Sequence, residues 1–178
     1  MSSVRPLKPT VGFPARSWGI YQGAANKARF EWLLGQVHGH VLEVGCGAGY
    51  SSCVLAAAAD HVTGIDTDPL LITQARQLAA LNAVDNVTFR IGSAYEAHQS
   101  FDVVCLPEVL EHLAHPHAAA VRAMEAAPLV IATVPMHGRM RNTPGHIQDF
   151  THADLGTLFP RAVITDMEPF TLVVWRRG

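Results

Sequence analysis

The chain has 178 residues, 49% hydrophobic and 16% charged, which suits one domain with a sizeable core and excludes disorder. Thirteen Lys and Arg against fifteen Asp and Glu leave a formal charge of -2, so no bulk positive field advertises nucleic acid or membrane. Cys46, Cys53 and Cys105 are an odd number in mostly apolar segments, and no apolar run approaches a leader or a span of ~18 residues; a reducing cytoplasmic setting is expected, with no membrane partner.

Residues 1–22 hold Pro6, Pro9 and Pro14 with scattered Phe13, Trp18 and Tyr21 and read as an extended arm. The rest, 23–178, reads as one domain. Its first helix is expected over Ala25–Val37, with Phe30, Leu33, Leu34 and Val37 on one side. Strands and helices then alternate: strand His40–Val44, helix Tyr50–Ala59, strand His61–Asp66, and helix Pro69–Asn82 with Asp68 as N-cap. Strands Asn86–Ile91 and Phe101–Leu106 follow. Helical segments run from Pro107 to about Ala126, interrupted near His115 and Pro116, before strand Leu129–Val134. After a polar loop, Thr151 and Asp154 resemble a capping box for a short helix. The last strands, near Ala162–Met167 and Thr171–Trp175, are close enough to pair as a hairpin. This alternation predicts an α/β fold with a mostly parallel sheet covered on both faces.

The most informative stretch is Val41-Leu42-Glu43-Val44-Gly45-Cys46-Gly47-Ala48-Gly49-Tyr50, where strand passes to helix through alternate glycines. Glycine permits positive φ and lets backbone approach a ligand, and the following helix start offers free N–H groups. A dinucleotide fingerprint would need glycine at position 50, which is Tyr50, so the spacing disfavours NAD and FAD and a nucleotide-dependent oxidoreductase. Glu43 two residues before the glycines suits a cationic or hydroxyl-bearing ligand better than a pyrophosphate. Asp66, ending the second strand, can accept hydrogen bonds from both hydroxyls of a ribose; Asp68 competes for that role, though its place before Pro69 suits a cap better.

With VTGIDTDP, FDVVCLPEVLEHL and LVIATVP, this glycine loop resembles the successive motifs of class I S-adenosylmethionine-dependent methyltransferases from about residue 20 to the end. The resemblance implies a three-layer α/β/α sandwich with a seven-stranded sheet of order 3-2-1-4-5-7-6, strand 7 antiparallel. It implies that Gly45, Cys46, Gly47 and Gly49 pass beneath the cofactor, that Glu43 orients that loop or meets the cofactor amine indirectly, and that Asp66 holds the ribose. Thr67 would lie on the adenine. Gly92, Ser93 and Ala94 fall where the family often has an acidic adenine ligand, here Ser93. Leu106, Pro107 and Glu108 would face the reactive methyl.

PEVLEHL places Glu108, Glu111 and His112 on one face of the expected helix, and Gly145-His146 adds a second imidazole after the fifth strand. Two carboxylates and two imidazoles could hold Mg²⁺, Mn²⁺ or Zn²⁺. The set Glu108, Glu111, His112 and His146 resembles that of the small-RNA 3′-terminal 2′-O-methyltransferases, and the ubiquinone-pathway O-methyltransferases look similar. The same run is widespread in small-molecule methyltransferases that need no metal, and no metal is assigned here. Glu108, His112 and His146 are instead the general-base candidates. Arg139 and Arg141 are candidates for binding an anionic substrate, and His137 for facing substrate. The expected activity is methyl transfer from S-adenosylmethionine to a small molecule, with RNA the second and protein the third acceptor class. A catalytically silent cofactor-binding protein is the remaining alternative.

Overall fold

The structure is a computed structural model and describes residues 23–96, 100–139 and 143–178. The arm expected over residues 1–22, His98 and Arg141 lie outside them. Seven strands, β1 (His40–Val44), β2 (His61–Asp66), β3 (Val87–Ile91), β4 (Val103–Pro107), β5 (Leu129–Pro135), β6 (Val163–Met167) and β7 (Phe170–Arg176), form a sheet of order β3-β2-β1-β4-β5-β7-β6. Strand β7 runs antiparallel to its neighbours and helices flank the strands, so the expected strand order and class hold. The chain divides into two units, Met1–Ser93 and Ala94–Gly178.

In the first unit β1, β2 and β3 pair in parallel, His40 opposite His61 and Val62 opposite Val87. Val41, Leu42, Val62 and Ile65 are fully buried. Helix α1 (Ala24–Leu34) buries Phe30, Leu33 and Leu34 on the face its periodicity predicts. It ends earlier than expected because the next bonds, Gly35 N and Gln36 N to Trp32 and Leu33 carbonyls, already tighten to three-residue spacing. Helix α2 (Tyr50–Leu55) likewise stops short of Ala59. Ala57 and Ala58 bond back three residues, and Asp60 N donates to Gly39 O at 2.8 Å as the chain turns into β2. Helix α3 (Pro69–Leu81) packs Ile72, Ala75 and Leu78 inward and rests on β2 and β3. Asp68 caps it, accepting from Leu70 N at 2.8 Å, with Pro69 at its first position.

In the second unit every residue of β4 and β5 is buried, as doubly covered parallel strands require. β6 and β7 form the expected hairpin. One expectation fails: no helix starts at Pro107. Pro107 pairs with Thr133 in the β4–β5 register, and Glu108 N donates to Thr133 O at 2.8 Å, extending the ladder. Glu108 then takes φ 57°, a left-handed value that a continuing helix does not allow. Only a 3₁₀ turn, Leu110–His112, follows, and α4 (Pro116–Ala126) begins after it. Pro116 suits a first helical position and keeps His115 out of the helical region, at φ -128° and ψ 64°, which splits the two. Helix α5 (His152–Leu158) carries the expected capping box: Thr151 Oγ1 accepts from Asp154 N, and Thr151 N donates to Asp154 Oδ2 at 2.9 Å.

Candidate functional site

The first unit builds a turn around three glycines. Gly45, Gly47 and Gly49 all have positive φ, at 68°, 52° and 82°. They serve different needs. A Cβ on Gly49 would lie 2.7 Å from Ala75 Cβ and 2.8 Å from Phe89, so this glycine is where loop meets helix α3 and strand β3. A Cβ on Gly47 would meet nothing within 4 Å, so Gly47 borders open space that a ligand can enter.

Asp66 fixes that opening. Its Oδ2 accepts from Gly47 N at 2.9 Å and its Oδ1 from Asp68 N at 3.0 Å. Each carboxylate oxygen retains a second acceptor position, so the half-buried group can still bind hydroxyls. Gly92 N donates to Asp66 O at 3.0 Å, and a Cβ on Gly92 would press Ile65 Cβ at 3.3 Å. Thr67 is exposed and Ser93 half-buried.

Glu43 is fully buried beneath the turn and accepts a hydrogen bond from Ser52 Oγ. Burial raises its pKa to about 7; the hydroxyls of Ser51 and Ser52 and the charge of Arg29 pull the other way. Arg29, buried on α1, lies with its guanidinium 5.1 Å from the centre of the Phe30 ring. Sequence reading did not single out Arg29 or Ser52. The available signal was an arginine on the apolar face of α1 and a serine one turn into the helix after the glycines. Burial pushes the Cys53 thiol up to about 12 and Cys46 further, so both are inert, and no disulfide joins the three cysteines.

In the second unit, Glu111, His112 and His146 come together, with ligand atoms all within 4.8 Å of one another. Glu108 is not in that group: its place at the end of β4 separates it from the 3₁₀ turn, so the four-residue face expected from the sequence becomes a cluster of three. Glu108 Oε1 accepts from Thr133 Oγ1 at 3.3 Å. Glu111 is buried and His112 exposed. The His112 and His146 rings stand perpendicular, 4.6 Å between centres. His146 has its pKa lowered, first by burial and then by His112, which favours a neutral imidazole. His112 Nδ1 lies 2.9 Å from Gly145 O. Leu106 and Pro107 are buried in β4, and Ala94 is half-buried.

The remaining loop groups are engaged elsewhere. Arg139 pairs with Glu168, and His137 Nδ1 lies 3.2 Å from Asp149. His152 pairs with Asp166 at 2.9 Å, and His61 reaches Thr88 at 3.1 Å. No described helix is long and apolar enough to cross a membrane.

Comparison with known proteins supports the same reading of the fold. The chain is 37% identical over 102 residues to a ubiquinone biosynthesis O-methyltransferase of Xanthomonas campestris pv. campestris (strain B100), covering 53% of this chain and 42% of that protein. It is 41% identical over 71 residues to the 23S rRNA (uracil(1939)-C(5))-methyltransferase RlmD of Klebsiella pneumoniae (strain 342), covering 40% of this chain and 16% of that one. The chain thus spans less than half the length of these curated relatives. The crystal structure of magnesium protoporphyrin IX methyltransferase (ChlM) from Synechocystis PCC 6803 with bound SAH superposes with a TM-score of 0.71 at 21% identity, covering 96% of this chain and 90% of that one. Residues 36–136 match the family described as Methyltransferase domain, which takes in the glycine turn, Asp66 and the β4–β5 segment, and the chain belongs to that family.

Proposed function

We propose that the protein binds S-adenosylmethionine and transfers its methyl group to a small molecule bearing a hydroxyl or amine. The observation that carries this reading is the turn at Gly47: open to a ligand on one side and pinned on the other by Asp66, whose carboxylate has acceptor capacity left for ribose hydroxyls. Gly45, Cys46, Gly47 and Gly49 would cradle the cofactor, with Thr67, Gly92, Ser93 and Ala94 toward its adenine and Leu106, Pro107 and Glu108 toward its methyl. Glu43 would act beneath the turn, holding it through Ser52. When bound, S-adenosylmethionine supplies an electrophilic methyl carbon: the acceptor lone pair forms the new bond as the carbon–sulfur bond breaks, a thioether leaves, and the acceptor proton passes to a base. Exposed His112, neutral-favouring His146 and Glu108 are the groups available to take that proton. The likeness to a ubiquinone biosynthesis O-methyltransferase supports a small hydroxylated acceptor.

The test is ligand-induced stabilisation, since a ligand that binds only the native state must raise the melting temperature. S-adenosylmethionine or its demethylated product should do so and NAD(H) should not. Asp66→Ala should weaken cofactor binding about 10- to 100-fold by titration calorimetry, through lost charge-assisted bonds. Stabilisation by NAD(H) instead, or full affinity in that variant, rejects the reading. Binding without turnover on any acceptor class would leave a silent cofactor-binding protein.

A second reading is favoured by the cluster of Glu111, His112 and His146, a ligand set suited by type to a divalent ion. It would make the reaction metal-assisted and bring RNA 2′-O-methylation forward; the likeness to an rRNA (uracil-C5) methyltransferase supports an RNA acceptor but not the 2′-oxygen. Loss of activity in EDTA with recovery in Mg²⁺ or Mn²⁺ selects it; full activity of the EDTA-dialysed protein removes it.

A further inference from the structure

We propose that Gly145 is a positioning residue, whose carbonyl accepts a hydrogen bond from Nδ1–H of His112 and so leaves Nε2 as that imidazole's single lone-pair atom. The proposal rests on the reading of His112 as a working group of the acceptor side, and it says how that group is held ready.

A carbonyl oxygen can only accept a hydrogen bond. With 2.9 Å between His112 Nδ1 and Gly145 O, the nitrogen must carry the hydrogen, and in the neutral ring Nε2 is then bare. An unrestrained imidazole samples both tautomers. This one is bounded on one side by the Gly145 carbonyl and on another by the perpendicular ring of His146, 4.6 Å away.

The bond is not needed to hold the loop. Ile147 N and Gln148 N both donate to Glu111 O, at 2.9 and 3.1 Å, and Gln148 Nε2 donates to Leu113 O at 3.3 Å. Three hydrogen bonds thus already tie residues 147–148 to the 3₁₀ turn and the residue after it. The fourth, from an exposed ring, adds orientation of that ring.

Position 145 must be glycine for this to work. Its φ is 88°, a conformation in which L side chains are strained. A Cβ there would sit 3.4 Å from His112 Nδ1 and 3.7 Å from Cε1, which is ordinary van der Waals contact, so the strain at φ 88° and not a clash is what selects glycine. Glycine lets the backbone hold this left-handed conformation, in which its carbonyl faces the ring. The arrangement has the logic by which a fixed hydrogen bond on one imidazole nitrogen decides what the other can do.

The experiment is side-chain ¹⁵N NMR of the full chain, dialysed against EDTA and recorded near pH 8, with the His112 signals assigned by their loss in His112→Asn. The neutral ring should show a protonated Nδ1 and an unprotonated Nε2. A proton on Nε2 overturns the proposal. Gly145→Ala should lower the Nδ1–H share severalfold while S-adenosylmethionine affinity by calorimetry stays within twofold. Retention of the Nδ1–H form in that variant overturns the requirement for glycine. If Gly145→Ala does not fold, the wild-type tautomer alone decides. Turnover plays no part in these readouts, so a failure to find methyl transfer would count against the function proposed above and not against this contact.

Discussion

Two regions of the molecule, the glycine turn at 45–49 and the cluster at 111–148, are built in opposite ways. The turn is made of backbone: three glycines in left-handed conformations, one of them packed solid and one open, with a single carboxylate fixing it. The cluster is made of side chains on irregular chain, a 3₁₀ turn and a loop stitched together by main-chain bonds. A backbone site tolerates few residues at a few positions and announces itself in spacing. A side-chain site depends on where loops bring groups from distant positions, and its geometry is invisible until the loops are traced.

The largest effect should come from filling the packed glycine. Gly49→Ala puts a Cβ at 2.7 Å from Ala75 Cβ and 3.0 Å from its Cα, and also meets the strain of φ 82°. Overpacking and backbone strain together should cost about 2–5 kcal/mol in urea unfolding. Gly47→Ala, with strain alone and no clash, should cost about 1–2 kcal/mol while hurting cofactor binding more. Equal stability losses in the two variants would break the distinction between a packed and an open glycine.

Glu43 sharpens the same comparison by pH. Its folded pKa, about 7, lies above the ordinary 4.5, so the native state favours its neutral form. The stability tied to that form is fully present below about pH 4.5 and is lost as pH rises through about 7. At about 1.4 kcal/mol per unit, the loss between pH 5 and 8 is about 2–3 kcal/mol. Glu43→Gln should flatten that stretch of the stability curve. Removing Glu43 also takes a charge from beside buried Arg29, so the slope and not the absolute stability is the quantity to read. An unchanged slope in the variant would show that Glu43 does not take up its proton on folding.

The difference in construction explains what could be read beforehand. The alternation of strands and helices was legible in apolar runs and turn residues, the strand order came from the resemblance to class I methyltransferases, and Asp68, Pro69 and the Thr151–Asp154 box marked helix starts by their own chemistry. Asp66 was legible because a carboxylate ends β2 at the expected distance from the glycines. Pro107 misled: it fits the first turn of a helix as well as the last position of a strand, and only its pairing with Thr133 decides. Losing that helix detached Glu108 from Glu111 and His112. His146 was named from the sequence, but the Gly145 carbonyl that orients His112 is a backbone atom with no residue-type signature beyond a Pro144-Gly145 turn. Arg29 and Ser52 escaped because a buried charge and its partner sit on different elements.

The smallest expected effect tests whether the loop after β5 answers to its own fastenings and not to the glycine turn. Asp149 holds the start of that loop from eleven residues away: its carboxylate accepts from Gly138 N at 3.0 and 3.3 Å and faces His137 Nδ1 at 3.2 Å. Gly138 has φ 78° and a Cβ there would meet nothing, so the turn is pinned by this carboxylate more than by packing. The side chains of Asp149 and His137 are 25% and 47% exposed, so water screens the pair and the backbone bond carries most of its worth. Asp149→Ala should therefore cost only about 1 kcal/mol, and Asp149→Asn, which keeps an acceptor oxygen for Gly138, about half of that. The sharper readout is hydrogen exchange at the Gly138 amide, which should quicken about fivefold in the alanine variant as its acceptor is lost. Cofactor affinity should stay at the wild-type value in both. A fall in affinity matching that of Asp66→Ala would mean that this loop and the glycine turn act as one site, and the contrast between the two regions would not stand.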